Sequence, residues 1–144
     1  MWLVSGRDGS VNLFKIADGE GRLLQKLTKH RISANDLSVS MRRPHSVLSV
    51  GGDGLVKELD IRTDGETSIL STTFNERSRR VQLFSVDEHP LNENMVCVAG
   101  EDKHVFIYDR RLASLTSPSV LKYSLDYSVS KSILYFMTLV LIML

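Results

Sequence analysis

The chain has 144 residues, a net charge of +1, 42% hydrophobic and 24% charged residues. That composition is typical of a globular protein, and the near-neutral charge gives no whole-chain electrostatic reason to expect a nucleic-acid or acidic partner. Cys97 is the single cysteine, so an internal disulfide is excluded, and no Asn-x-Ser/Thr acceptor points to a secretory route.

In chain order, Met1-Trp2 runs straight into a strand-like segment with no basic n-region or apolar h-region, so no signal peptide opens the chain. Residues 1 to 16 supply two strands joined at Arg7-Asp8-Gly9, and an outer strand is expected from Arg22 to Leu27 after a Gly- and Asp-containing connection. The innermost strand of this unit is missing. An unpaired edge is an aggregation liability, and the start therefore reads as truncated.

A second, complete unit begins at Thr28-Lys29-His30. Residues 34 to 40 alternate around Leu37 and Val39, Arg42-Arg43-Pro44 turns, and a hairpin follows. In that hairpin Val47, Leu48 and Val50 run into Gly51-Gly52-Asp53-Gly54, and Leu55, Val56, Leu59 and Ile61 come after. Two β-rich runs flank a turn that tolerates positive φ. A turn at Asp64-Gly65 and a Ser/Thr-rich outer strand over residues 67–74 close the unit, and Asn75 to Arg80 is a polar, basic loop.

The third unit starts at Val81 and passes a turn at Glu88-His89-Pro90 to a second hairpin, Met95 to Arg111, around Glu101-Asp102-Lys103-His104. No outer strand of its own is expected. The turn aspartates Asp8, Asp53 and Asp102 are offset by 45 and 49 residues, the period of a repeat protein. Each is read as a turn residue bonding through its own side chain. After Leu112 the landmarks stop. The charge-free end, Ser132 to Leu144, would span roughly 20 Å as a helix, short of the ~30 Å hydrocarbon core, and reads as an apolar end, not an anchor.

These residues resemble a WD-repeat β-propeller. Each better copy ends in an aspartate seven residues after its turn aspartate, Asp60 and Asp109, with Leu59 and Tyr108 where the family has tryptophan; the first copy has Phe14-Lys15 there. In the family a histidine, a serine, the turn aspartate and the tryptophan form a buried network, of which His30, Asp53 and Ser49 are the surviving members in the second unit and Asp102 alone in the third. The fold class expected is all-β: a partial propeller of about three antiparallel blades, ring not closed. The organisation is 1–112 propeller (1–27 incomplete first blade, 28–74 second, 81–112 third) and 113–144 non-repeat tail.

Leu59-Asp60-Ile61-Arg62 and Tyr108-Asp109-Arg110-Arg111 further resemble the DWD box of substrate receptors of cullin-4 ubiquitin ligases, and the flanking text is similar to the cullin-4-associated factor 8 family. The resemblance covers residues 1 to about 112. It implies a non-catalytic receptor, in nucleus or cytoplasm, that docks the damaged-DNA-binding adaptor through Leu59, Asp60, Arg62, Tyr108, Asp109 and Arg111. A guanidinium suits such docking, because its rigid fork of donors matches carboxylates and carbonyls and arginine is enriched at interface hot spots. By the two-residue strand period, Asp60 and Asp109 share a face with Arg62 and Arg111, each pair an ion pair. The alternatives are a generic interaction scaffold with structural Asp-x-Arg pairs, or a truncated product without function.

Other chemistry finds little support. Gly51-Gly52-Asp53-Gly54 opens no helix and lacks the Gly-Lys-Ser/Thr of a phosphate loop; the four histidines match no zinc spacing; Cys97 has no evident base. No cofactor and no metal are expected. The cluster Arg77-Ser78-Arg79-Arg80 lacks the aromatic platform of a nucleic-acid site, and an acidic protein patch is its better match.

Overall fold

The computed structural model of the chain describes residues 1–63, 67–72, 80–112 and 121–124. The first sheet has three strands in the order β1 (Trp2–Ser5), β2 (Ser10–Ala17), β3 (Glu20–Lys29). The second has four: β4 (Ala34–Val39), β5 (Ser46–Gly51), β6 (Leu55–Asp60), β7 (Thr67–Thr72). The third has β8 (Leu83–Glu88), β9 (Met95–Gly100), β10 (His104–Asp109) and β11 (Leu121–Ser124), with a 3-10 turn at Arg110–Leu112. All neighbouring strands are antiparallel.

The three hairpins are built alike. In each, the turn aspartate accepts a backbone N–H two residues on: Ser10 N to Asp8 Oδ1 at 3.1 Å, Leu55 N to Asp53 Oδ1 at 3.2 Å and His104 N to Asp102 Oδ1 at 3.2 Å. The next residue takes positive φ in every copy, Gly9 at 86°, Gly54 at 73° and Lys103 at 61°. The side-chain bond closes the turn, and the left-handed residue lets the strand double back.

The sheets pack face to face. Between the first and second lie Val11, Leu13, Leu27, Ala34, Val47 and Leu59; between the second and third lie Leu48, Val50, Val56, Val81, Leu83, Val86, Val96, Val98, Phe106 and Tyr108. The second sheet is thus covered on both sides, which is why Val47-Leu48-Ser49-Val50 does not alternate apolar with polar: Val47 serves one cluster, Leu48 and Val50 the other. The first sheet is open on its other face, with Trp2, Val4, Ile16 and Leu23 exposed. The innermost strands β4 and β8 carry matching irregularities between Ala34 and Asp36 and between Leu83 and Ser85. There the sheets are tied by Asn35 Nδ2 donating to Leu83 O at 2.6 Å and by Asp36 Oδ2 accepting from Ser85 Oγ at 3.0 Å and Val86 N at 3.1 Å.

This is the all-β, partial propeller expected, with two corrections. The third sheet does have an outer strand: β11, drawn from the stretch read as non-repeat tail, pairs Ile107 with Leu121 and His104 with Ser124. It escaped notice because an edge strand of four residues carries no turn landmark and little alternation. The outer strand of the first sheet runs over Glu20–Lys29, longer than the 22–27 expected, because register shifts in β2–β3 let it follow β2 to both ends. The Asp64-Gly65 turn, the end of the 67–74 strand, Arg77 to Arg79 and the apolar end from Ser132 lie outside the described residues.

Candidate interaction face

At one end of the second sheet, His30, fully buried in the link between β3 and β4, bridges strand β5 and the hairpin turn. Its Nδ1 lies 2.9 Å from Asp53 Oδ1 and its Nε2 2.7 Å from Ser49 Oγ. A carboxylate only accepts, so Nδ1 carries the proton toward Asp53, and in the neutral ring Nε2 accepts from the Ser49 hydroxyl. Asp53 Oδ2 also accepts Arg31 N at 2.9 Å. Burial pushes the Asp53 carboxyl up, but the His30 bond and the Arg31 and Leu55 N–H groups outweigh it and hold the carboxyl at about 2. The site fixes the fold and offers no reactive group. Leu59, where the family has tryptophan, is 1% exposed in the first core cluster.

The third sheet builds the same turn, and among the described residues no histidine from outside its hairpin bonds to Asp102. The position of Ser49 holds buried Val98, and the contact to Asp102 comes from its own strand, where His104 Nδ1 lies 3.1 Å from Asp102 Oδ2.

At the opposite ends of the hairpins stand two near-identical forks. Arg62 Nε lies 3.0 Å from Asp60 Oδ1 and its Nη2 2.5 Å from Oδ2; Arg111 Nε lies 2.9 Å from Asp109 Oδ1 and its Nη2 2.5 Å from Oδ2. The backbone N–H of each arginine bonds the same carboxylate, at 2.9 Å and 3.0 Å. The side-chain and backbone bonds from Arg62 and Arg111 hold both carboxyls at about 2. The expected cause of the pairing is corrected: β6 stops at Asp60 and β10 at Asp109, so each arginine is brought round by the turn, not by the two-residue strand period. The Arg62 and Arg111 side chains are 63% and 68% exposed. Of the other residues in these two boxes, Leu59 and Tyr108 sit in the core clusters.

Beside the Asp60–Arg62 fork the surface is cut by a groove of about 480 Å³, lined by Arg43, His45, Ser46, Glu58, Asp60 and Arg62 among others. Arg43 reaches the neighbouring sheet, donating to Glu93 Oε1 at 3.2 Å and Asn94 Oδ1 at 3.3 Å.

Sequence reasoning missed Arg110. Its side chain is 4% exposed and donates to Glu58 Oε1 at 2.9 Å and Glu88 Oε2 at 2.6 Å. Glu58 and Glu88 in turn accept from Ser46 Oγ at 2.5 Å and Ser40 Oγ at 2.8 Å. No signal marked it, because Glu88, 22 residues away, meets it through the third sheet's own fold and Glu58, 52 residues away, through the packing of the second sheet on the third. Lys57 is a second missed buried cation: burial lowers its pKa, and its Nζ donates to Lys29 O at 2.7 Å.

Among the described residues no group of three or more His, Cys, Asp or Glu side chains could hold a metal ion, and no helix is long and apolar enough to cross a membrane. Cys97 carries a thiol pushed up to about 12, by burial first and then by the charge of Asp87.

No known family profile matches the chain. It is similar to human nucleoporin Nup43, 31% identical over 113 residues, which is 76% of this chain and 28% of the nucleoporin. The mouse nucleoporin Nup43 is 30% identical over the same share of each chain. The chain thus spans just over a quarter of the length of these relatives. Three hairpins on one plan, packed face to face in antiparallel sheets, give this chain the fold of a partial β-propeller, with a sequence similar in part to a nucleoporin.

Proposed function

We propose that the chain belongs to a non-catalytic interaction propeller and that the end bearing Arg62 and Arg111 docks the damaged-DNA-binding adaptor of a cullin-4 ubiquitin ligase. The observation that carries this reading is the pair of forks: two arginines, each held by its own aspartate through side chain and backbone, each more than half exposed. A prearranged guanidinium loses less freedom on binding than a free one and still presents donors outward. The resemblance of both boxes to the DWD signature names the adaptor.

A second reading has its own support. The likeness to nucleoporin Nup43 favours a scaffold role at the nuclear pore, with the forks serving to close the strand ends. The ligase reading goes with nucleus or cytoplasm and the scaffold reading with the nuclear pore, and both give the chain protein partners.

Pull-down of the adaptor by the full chain, beside Arg62→Ala and Arg111→Ala, separates them. Monodispersity of each protein is established first by gel filtration. The ligase reading expects capture by the wild-type chain and its loss in both variants. No capture by a monodisperse wild-type chain overturns it and leaves the scaffold.

A further inference from the structure

The two contacts between sheets use the same three positions with opposite chemistry. Counted from the turn aspartates, Leu13 and Glu58 are five residues on, and Ile61 and Arg110 are eight; Val39 and Glu88 end the innermost strands opposite Val47 and Val96. At the first and second sheets these positions hold Leu13 and Ile61, which pack in one cluster, and Val39, which is half exposed. Between the second and third they hold Glu58, Arg110 and Glu88, joined at 2.9 Å and 2.6 Å with Arg110 and Glu88 almost fully buried.

An aliphatic contact tolerates sliding, since it has no preferred direction. A guanidinium bonded to one carboxylate on each sheet does not, because its planar fork fixes both distance and angle. Glu58 lies two residues before Asp60 on β6, and Arg110 lies between Asp109 and Arg111. The bridge therefore runs from the strand that carries one fork to the backbone that carries the other. The Arg110 N–H, bonded to Asn94 O at 2.8 Å, and Arg43, bonded to Glu93 and Asn94, fasten the same loops.

We propose that Arg110 is a positioning residue which, by bridging Glu58 of the second sheet to Glu88 of the third, sets the separation and orientation of the Asp60–Arg62 and Asp109–Arg111 forks so that both meet one partner surface. The partner part of this rests on the docking face proposed above. Arg110 itself, buried, touches no partner.

The test copies the other interface. Glu58→Leu/Arg110→Ile/Glu88→Val puts the aliphatic set where the ionic one was, and replacement of a buried ionic triad by apolar groups is often neutral or stabilising. Spin labels at His45→Cys and Leu112→Cys, in a Cys97→Ala background, report the distance across the two forks by electron-electron resonance, and adaptor affinity is measured on the same proteins. The expected result is an unfolding midpoint equal to or above that of the labelled parent, a broadened or shifted distance distribution, and affinity weaker by about tenfold or more. An unchanged distance distribution in the folded triple variant overturns the proposal. Arg110→Lys, which keeps the charge and loses the fork, is the second variant should the triple one not fold; a distribution as narrow as the parent's overturns the proposal equally. If the parent binds no adaptor, the docking reading falls, and the distance measurement alone still decides the role of Arg110.

Discussion

His30 and Asp53, 23 residues apart, are joined in the core by a 2.9 Å bond from imidazole to carboxylate. His30 is fully buried and its other nitrogen is engaged by Ser49, so deleting the ring strands two buried polar groups and leaves a void. His30→Ala is expected to lose about 2–4 kcal/mol, and Ser49→Ala about 1 kcal/mol. Urea unfolding at constant slope reads both.

Acid should act late. Asp53, Asp60 and Asp109 are held at about 2 in the folded chain, below the ordinary carboxylate value of 3.8. A depressed carboxyl contributes stability that is fully present above its unfolded pKa and is lost as pH falls through its folded one. The contribution of these groups is therefore constant from neutral pH to about 4 and disappears between about 4 and 2. Unfolding midpoints measured from pH 7 to pH 2 check this. Asp53→Asn should remove part of the fall in that window.

Two glycines should fail for different reasons. A methyl on Gly51 would strike the Ser33 carbonyl and the His30 ring, whereas Gly19 has φ +80° and open space around it. Gly19→Ala is expected to lose about 1–2 kcal/mol from backbone strain alone. Gly51→Ala should lose more and displace His30, visible as a shift of its ring resonances by nuclear magnetic resonance.

Cys97 should react slowly. With its thiol pushed up to about 12, little thiolate exists at pH 8, and alkylation of the native chain should be far slower than in urea. Equal rates in the two conditions would refute the burial.

Arg110 and Arg62 should part company. Arg110→Met leaves Glu58 and Glu88 facing each other without a cation, and loss of about 3–5 kcal/mol is expected for breaking such a buried set. Arg62→Ala removes an exposed side chain and should leave the melting midpoint close to that of the parent. Thermal melts of the two variants make the comparison.

The hairpins and their common turn were legible in the residues, because local chemistry decides them. An aspartate bonding two residues ahead, a residue that accepts positive φ and β-branched flanks all lie within one turn of chain. The same locality made both Asp-x-Arg forks readable as pairs, although the turn that closes them was mistaken for strand alternation. Ser49 was expected in the histidine network only through the resemblance to the propeller family, and the structure puts it 2.7 Å from the ring.

Tertiary structure alone decided the rest. Whether the residue before the fork arginine is aliphatic, like Ile61, or a buried cation, like Arg110, depends on which sheet lies opposite, and the glutamates that receive Arg110 come from β6 and the end of β8. The outer strand β11 exists through its backbone pairing to β10, a partner that four residues of sequence do not announce. Short-range hydrogen bonds are written in neighbouring residues; a buried charge and an edge strand are fixed by what packs against them.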